Sequence, residues 1–311
     1  MSKTIFLFPG QGSQYVGMGR DIYEKYASAR NTYINASKIL GIDVAELCFS
    51  STEEDINRAD NAQIAILVTS LATLEVLKEK EIHAEISAGL SLGEYTACIY
   101  GGMIGFEDGL RLVQKRGEFM QELTPAGDWK MVAIIGLGAG IIEETCKKVS
   151  EKTGFVAPSN YNYSEQVVIS GEAEAVEEAT QLLNQKGAKK ISFLNTTGPF
   201  HTIKLEKAEK EFEKELEKIN IETLRSSSKL IPVIKNIDGL PYNENDNIKE
   251  IWAKHMISPV RFDKAIEYMK SQKIDNFIEI GPGKTLTGFI KREIKDVNLL
   301  NINNARILEQ L

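Results

Sequence analysis

The segment Ile82-His-Ala-Glu-Ile-Ser-Ala-Gly-Leu-Ser-Leu-Gly93 joins a short apolar stretch to the pattern Gly-x-Ser-x-Gly. The apolar stretch predicts a strand over Ile82–Ala88, and the residues after Gly93 predict a helix. In that context the pattern places its serine on a tight turn from which the hydroxyl projects, so Ser91 is a candidate nucleophile. The alternative is an ordinary glycine-rich turn, because a pattern this short recurs by chance.

Strands and helices alternate on both sides of this turn. A buried strand is predicted at Thr4–Phe8, and helices are predicted at Gln63–Lys80 and Phe106–Leu123. Near the other end of the chain, a strand at Asn276–Ile280 precedes a helix that begins after Thr285. This alternation predicts an α/β fold with a mostly parallel sheet.

The pattern changes after Pro125-Ala-Gly-Asp128, where the order becomes strand, helix, strand, strand, helix, strand. This is the order of a ferredoxin-like unit. We therefore predict a large domain formed by residues 1–126 and 197–311, and a small inserted ferredoxin-like domain over 127–196. A Lys/Glu-rich helix near Ile203–Ile219 returns the chain to the large domain and is expected to expose its charged face. The six elements of the insert are predicted at Met131–Ile135, Ile141–Ser150, Phe155–Ser159, Gln166–Ser170, Ala173–Lys186 and Lys189–Leu194.

Composition and charge argue against several classes of protein. The chain has 311 residues and a net charge of −7, which disfavours a broad nucleic-acid surface. Its three cysteines form no Cys-x-x-Cys pair and are expected to be reduced. The first residues do not resemble a signal peptide, and no apolar run approaches the roughly 18 residues that cross a bilayer. We therefore expect a cytoplasmic protein with neither nucleic acid nor membrane as a partner.

A serine nucleophile needs a base, and the chain has three histidines, too few for a metal site built on several of them. His201 is the first candidate, because it lies in the turn Gly198-Pro-Phe-His201 after a predicted strand and can point into a cleft. His255 is the second candidate and lies at a predicted helix end. His83 lies in a polar connection and is expected at the surface.

Six motifs, taken together and in this order along the chain, resemble the malonyl-CoA:acyl carrier protein transacylase family. The resemblance covers nearly the whole chain and implies an α/β-hydrolase-like large domain that carries a ferredoxin-like insert. It also implies that Ser91 becomes acylated and that His201 is its base. The motifs are Phe8-Pro-Gly-Gln-Gly-Ser-Gln14, Gly89-Leu-Ser-Leu-Gly-Glu-Tyr95, Gln114-Lys-Arg-Gly117 with Met120-Gln121, Asn160-Tyr-Asn162 with Gln166-Val-Val-Ile-Ser-Gly171, Gly198-Pro-Phe-His201 and Glu279-Ile-Gly-Pro-Gly-Lys284.

The same resemblance assigns roles around the nucleophile. The backbone amides of Gln11 and Leu92 would hold the oxyanion, and Gln63 would line the same pocket. His255 stands where many members have glutamine, and its backbone carbonyl would orient the catalytic imidazole. Leu90 stands where members often have histidine, which affects local packing rather than the chemistry.

Arg116 lies on or beside the apolar stripe of the helix predicted at Phe106–Leu123, where a guanidinium needs an anionic partner. Helical periodicity alone favours a structural role for Arg116 as much as a functional one. The structural role is an ion pair, or an aliphatic side-chain stem that carries the charged group to solvent. The functional interpretation is a bidentate clamp for the free carboxylate of a malonyl group. Phe200 is similar to a residue that selects malonyl in related acyltransferases, although a packing aromatic is the alternative. Asn160 and Asn162 are weaker candidates for binding the acyl or pantetheine portion.

The resulting hypothesis is a monomeric acyltransferase that moves malonyl from malonyl-CoA to the phosphopantetheine thiol of acyl carrier protein. We expect a ping-pong acyl-serine cycle with no metal or bound organic cofactor, in fatty-acid or polyketide synthesis. An acidic carrier would dock on a basic patch, for which the candidates are Lys189, Lys190, Lys284, Lys291 and Arg292.

Three other classes of function fit the sequence less well. A serine hydrolase such as a thioesterase could share the nucleophile turn, but Arg116 and the Pro-Gly-Gln-Gly-Ser segment disfavour it. A nucleotide-binding site fails on spacing, because Ile278 and Tyr15 stand where the two patterns need glycine. A non-catalytic scaffold that binds carriers would have to keep both Ser91 and His201 by accident.

Overall fold

Two five-stranded sheets form the framework of the protein in the computed structural model, which describes residues 2–195, 198–221 and 230–311. In these ranges the strands are β1 Thr4–Phe8, β2 Ile86–Gly89, β3 Trp129–Ile135, β4 Val156–Tyr163, β5 Gln166–Glu172, β6 Lys190–Phe193, β7 Val233–Ile234, β8 Val260–Arg261, β9 Asn276–Ile280 and β10 Asn298–Ile302. The helices are α1 Arg20–Lys25, α2 Ala27–Leu40, α3 Val44–Ser50, α4 Glu53–Asn57, α5 Ala59–Glu79, α6 Gly93–Tyr100, α7 Phe106–Glu122, α8 Ala139–Ser150, α9 Ala173–Gln185, α10 Glu206–Leu216, α11 Ile248–Ile257, α12 Phe262–Ser271, α13 Thr285–Glu293 and α14 Ala305–Leu308, with a 3₁₀ turn at Ile203–Leu205.

The first sheet has the strand order β10-β9-β1-β2-β7, and every neighbouring pair in it is parallel. Its central strand β1 is apolar and buried from Ile5 to Phe8, as expected for a strand covered on both faces. Phe6 and Phe8 enter one core cluster with α2, α5 and α7, whereas Ile5 and Leu7 enter the opposite one with α12 and α13. The predicted α/β class with a mostly parallel sheet is confirmed.

The second sheet has the order β6-β3-β5-β4-β8, and its pairs are antiparallel except for β4 with β8. Its own core lies under α8 and α9. Strands β3 to β6 and the two helices follow the expected order along the chain. The edge strand β8 comes from outside 127–196, so the second sheet also takes in a short segment of the predicted large domain. The domain boundaries themselves stay a prediction.

Several element ends differ from the sequence prediction. The strand before Ser91 is Ile86–Gly89 rather than Ile82–Ala88, and α5 begins four residues earlier than expected, at Ala59. The predicted helix near Ile203–Ile219 opens as a 3₁₀ turn and ends at Leu216. Strand β4 continues to Tyr163 because it pairs with β5 through irregular register shifts, which periodicity does not report.

Helix α5 contains no unbroken apolar run of roughly 18 residues, as predicted, but it meets a broader test for a helix that could cross a bilayer. In the described ranges this helix passes that test by length and composition, with a mean hydropathy of 1.2 in its most apolar window. The fold buries 83% of that window. Its side chains pack in the main core cluster, which is the environment of a core helix.

Candidate active site

Ser91 lies on a sharp turn between β2 and α6, with a φ of 52°. This left-handed conformation is unusual for a residue with a side chain and marks a strained position. Gly93 lets the turn close, because a Cβ at this position would lie 2.0 Å from the carbonyl oxygen of Phe8. The turn predicted from the Gly-x-Ser-x-Gly pattern is therefore present, at the carboxyl end of β2.

His201 meets Ser91 from a distant part of the chain. Its Nε2 lies 2.6 Å from Ser91 Oγ, and its Nδ1 lies 2.9 Å from the backbone oxygen of His255. A carbonyl can only accept, so Nδ1 carries the hydrogen and Nε2 is free to accept the serine proton. The pKa of His201 is lowered to about 3, first by burial and then by the positive charge of Arg116. The imidazole is therefore neutral at neutral pH, as a general base must be.

Arg116 lies beneath the same serine with only 1% of its surface exposed. Its Nη2 donates to Ser91 Oγ at 3.0 Å, and its Nη1 donates to Gln63 Oε1 at 2.5 Å. The guanidinium carbon lies 5.3 Å from the centre of the Tyr95 ring. Burial lowers the pKa of Arg116. Among the described residues it has no carboxylate partner within 4.0 Å and its Nε has no hydrogen-bond partner, which argues against both structural alternatives for this residue.

The two proposed oxyanion donors belong to two different turns, one after β1 and the other after β2. Leu92 precedes the first residue of α6, where free amides and the helix dipole favour negative charge. Gln11 lies in the turn after β1 and lines the cleft beside Ser91. In the described part of the chain, neither backbone amide donates a hydrogen bond.

Ser91 and His201 line a cleft of about 390 Å³ between the two sheets. Phe200 is buried in its wall, next to His201. Asn160 and Asn162 come from β4 and also line the cleft. Asn160 accepts a hydrogen bond from Ser159 Oγ at 2.9 Å, whereas Asn162 Oδ1 is buried and has no partner in the described residues. Every side chain predicted for the site is thus at the cleft or directly beneath it.

Sequence reasoning missed a buried polar chain behind the nucleophile. Glu94 accepts hydrogen bonds from the backbone amide of Asn236 at 2.8 Å and from the hydroxyl of Tyr242. Burial raises the pKa of Glu94 to about 7, and these two hydrogen bonds oppose the rise. His255 Nδ1 lies 3.7 Å from the same carboxylate. Glu94 lies in the motif Gly89–Tyr95, but the motif itself assigns no role to this residue. Asn236 follows a two-residue strand, which is too short to show a sequence pattern.

No group of three or more metal-ligating side chains was found among the described residues. The expected independence from metal and organic cofactors stays a prediction. His83 is exposed, in the position expected for a surface histidine.

Comparisons with known proteins agree with one another. Residues 5–311 match the family model described as acyl transferase domain. The malonyl CoA-acyl carrier protein transacylase of Bacillus subtilis (strain 168) is 38% identical over 309 residues, which cover 99% of this chain and 96% of that protein. The crystal structure of the malonyl CoA-acyl carrier protein transacylase from Clostridium perfringens Atcc 13124 matches with a TM-score of 0.93 and 41% identity, covering 99% of this chain and 96% of that chain.

A further solved structure contains a type II PKS acyl-carrier protein in complex with its malonyl-transacylase. It matches with a TM-score of 0.93 and 34% identity, covering 99% of this chain and 98% of that chain. The matches to these three proteins each cover 99% of the chain and so include both sheets and the cleft between them. The chain belongs to the acyl transferase domain family, among the malonyl CoA-acyl carrier protein transacylases.

Proposed function

We propose that this protein transfers malonyl from malonyl-CoA to the phosphopantetheine thiol of an acyl carrier protein through a malonyl ester on Ser91. One observation carries the proposal: Ser91 Oγ lies 2.6 Å from His201 Nε2 and 3.0 Å from Arg116 Nη2. A nucleophile, a neutral base and a buried cation thus meet at one point. A short diacid bound as a thioester needs all three.

The first half-reaction acylates the serine. His201 Nε2 takes the hydroxyl proton while Ser91 Oγ bonds to the thioester carbonyl carbon. The Gln11 and Leu92 amides hold the resulting oxyanion, an interaction worth about 3 kcal/mol for each donor. The carbon–sulfur bond then breaks, and the coenzyme A thiol leaves with the proton from His201.

The second half-reaction reverses these steps with a new thiol. His201 takes the proton of the phosphopantetheine thiol, and its sulfur attacks the carbonyl carbon of the malonyl ester. The ester bond to Ser91 Oγ breaks, and the serine recovers its proton from His201. Protons and electron pairs balance at each step, so we propose that no metal or organic cofactor takes part.

Arg116 supplies the preference for a dicarboxylic acyl group. Its two terminal nitrogens bond uncharged oxygens of Ser91 and Gln63, and a malonyl carboxylate would replace them with a charge-assisted bidentate pair. Phe200 borders the space for the acyl group and would crowd an α-methyl substituent. Asn160 and Asn162 would bind the acyl or pantetheine chain across the cleft, and the His255 carbonyl would hold the His201 ring.

The acyl carrier protein must bind where its phosphopantetheine thiol can reach this cleft. Five basic side chains are exposed, on β6 and its preceding turn and around α13; they are Lys189, Lys190, Lys284, Lys291 and Arg292. Of these, Lys189 already forms an ion pair with Glu165 at 3.2 Å, which makes it a weaker candidate for binding the carrier. We propose docking of an acidic carrier on the α13 side, by a monomeric enzyme in the cytoplasm, in either fatty-acid or polyketide synthesis.

The decisive experiment is intact mass spectrometry of the protein after brief incubation with malonyl-CoA. We expect an adduct of malonyl mass on the wild-type protein and none on Ser91→Ala. Addition of holo acyl carrier protein should clear the adduct and produce malonyl carrier. Rapid release of free malonate without a thiol acceptor would instead indicate a hydrolase, and an unchanged adduct in Ser91→Ala would contradict the assignment of the nucleophile.

A further inference from the structure

The side chain of Asn236 bridges two successive peptide groups of the nucleophile turn. Its Oδ1 accepts the backbone N–H of Ser91 at 2.6 Å, and its Nδ2 donates to the carbonyl of Gly89 at 2.7 Å. The carbonyl belongs to the peptide before Leu90 and the N–H to the peptide after it. Asn236 is only 2% exposed, so these bonds do not compete with water.

This bridge begins where the backbone pairing of the sheet ends. Strand β2 pairs with β7 through Ser87 with Val233 and Ala88 with Ile234, and the ladder goes no further. Past that point the chain must turn through the φ of 52° at Ser91. A backbone conformation of this kind persists only where its surroundings hold it, and the Asn236 amide supplies the bonds that the ladder no longer provides.

The backbone N–H and the backbone carbonyl of Asn236 are both hydrogen-bonded. Its N–H donates to Glu94 at 2.8 Å, and its carbonyl accepts from the amide of Arg261 at 2.7 Å. Glu94 is held by the hydroxyl of Tyr242, which accepts from Trp252 Nε1 at 2.7 Å. The chain of bonds from Trp252 to Ser91 runs entirely through buried side chains and backbone groups.

We propose that Asn236 is a positioning residue for acylation, which fixes the direction of the Ser91 hydroxyl and of the Leu92 amide that follows it. The proposal rests on the proposed malonyl transfer through Ser91. Among the described residues, Asn236 has no hydrogen bond to His201 or Arg116, so it would act on the reaction through the geometry of the turn. Its loss should therefore lower the rate of acylation at saturating malonyl-CoA and leave the KM for malonyl-CoA nearly unchanged.

Two variants at this position separate a positioning role from a merely structural one. Asn236→Ala removes both bonds at every pH. Asn236→Asp can accept from Ser91 N–H when ionised but cannot donate to Gly89. When protonated, its carboxylic acid accepts through one oxygen and donates through the other, which restores both bonds. Burial and the nearby Glu94 carboxylate favour this protonated form.

The measurement is the single-turnover rate of malonyl-enzyme formation, followed by quenched intact mass from about pH 5 to about pH 8.5. We expect Asn236→Ala to acylate about 10- to 100-fold more slowly throughout, as misplaced reacting groups do. Asn236→Asp should show a similar loss at high pH and recover towards the wild-type rate as the pH falls. Dividing each rate by the wild-type rate at the same pH cancels the pH effects that the two proteins share. The charged and ionisable groups around Asn236 are Glu94, Tyr242, His255, Arg116, Arg261, Lys235 and Asp238.

Asn301→Asp is the matched control, because β10 lies at the opposite edge of the same sheet. It adds a carboxylate to that sheet far from the turn and should acylate at the wild-type rate. A wild-type rate in Asn236→Ala would overturn the proposal. So would a loss in folded Asn236→Asp that is the same at every pH, and this variant keeps the test open even where Asn236→Ala does not fold. Wild-type protein that forms no malonyl adduct would overturn the proposed function together with this inference.

Discussion

At the scale of single residues, the proposed role of Arg116 is to favour malonyl over acyl groups that lack a carboxylate. The substitution Arg116→Ala removes the buried cation and leaves Ser91 and His201 in place. We expect malonyl transfer to fall about ten- to hundredfold, since charge-assisted hydrogen bonds contribute about 1.5–3 kcal/mol. Activity with acetyl-CoA, relative to malonyl-CoA, should rise. Competition between the two thioesters in one assay measures this ratio.

Arg111→Ala is the control for that experiment, because Arg111 lies on the same helix, is exposed and pairs with Glu107 at 2.9 Å. It should keep the malonyl preference. An unchanged preference in Arg116→Ala would remove the carboxylate-binding role from this residue.

Glu94 gives a second prediction, which concerns stability. Its folded-state pKa of about 7 lies above the ordinary value of 4.5, so between these values the folded state binds more protons than the unfolded state. Stability from this group is therefore present at low pH and is lost as the pH rises through about 7, at a cost of roughly 3 kcal/mol. Glu94→Gln keeps an acceptor for the Asn236 amide and cannot ionise.

Melting temperatures from pH 5 to pH 8 test this difference. The wild-type protein should lose stability with rising pH relative to Glu94→Gln, and Glu151→Gln at the exposed end of α8 should follow the wild type. Parallel curves for wild type and Glu94→Gln would mean that the buried carboxylate does not titrate in this range.

The residues of the site differ in how far they could be predicted. Ser91, His201 and Arg116 were found because each lies in a short motif or on a periodic helix face. Asn236 and Glu94 were not, because their importance comes from contacts between segments 142 residues apart. Local patterns do not report which distant backbone amide a buried carboxylate will meet.

At the scale of elements, glycines decide how closely the turn and its neighbours pack. Gly93→Ala would place a methyl group 2.0 Å from the Phe8 carbonyl oxygen, so β1 and α6 must move apart. We expect a loss of about 1–3 kcal/mol of stability, as in other overpacked cores, together with slower acylation. Chemical denaturation and the single-turnover assay measure the two effects.

Gly140→Ala provides the opposite case. Gly140 lies in the first turn of α8, and an added Cβ would meet nothing within 4 Å. This variant should gain about 0.5–1 kcal/mol, because alanine loses less backbone entropy in a helix, and should keep full activity. Equal effects of the two substitutions would contradict the close approach at the turn.

Elements were predictable where they are long and periodic. The helices α7 and α9 match their predicted spans within one or two residues, since their apolar faces repeat at helical spacing. The two-residue strands β7 and β8 were missed, because pairing with β2 and β4 defines them, and no two-residue sequence can carry a period.

At the scale of the whole molecule, the net charge of −7 means that the proposed docking of an acidic carrier would require a local basic surface. Lys291→Glu and Arg292→Glu at the end of α13 reverse charge on the proposed docking side. We expect a several-fold higher KM for the carrier and a weaker dependence of transfer on salt. Acylation by malonyl-CoA should be unchanged, which confines the effect to the second half-reaction.

Lys148→Glu on α8 is the matched control, because Lys148 is exposed and pairs with Glu144 within its own helix at 2.5 Å. It should leave the carrier KM unchanged. A rate of transfer that does not respond to salt in the wild-type protein would argue against electrostatic docking altogether.

The hydrogen bond from Arg116 to Ser91 also bears on the reactivity of the serine oxygen in the free enzyme. While the guanidinium holds the serine oxygen, part of the electron density needed for attack is engaged. In the proposed reaction, the substrate's free carboxylate would bind the guanidinium and release the serine oxygen, whereas water or a neutral acyl chain carries no charge that could compete for Arg116. Binding of the substrate would thereby activate the nucleophile that it is about to acylate.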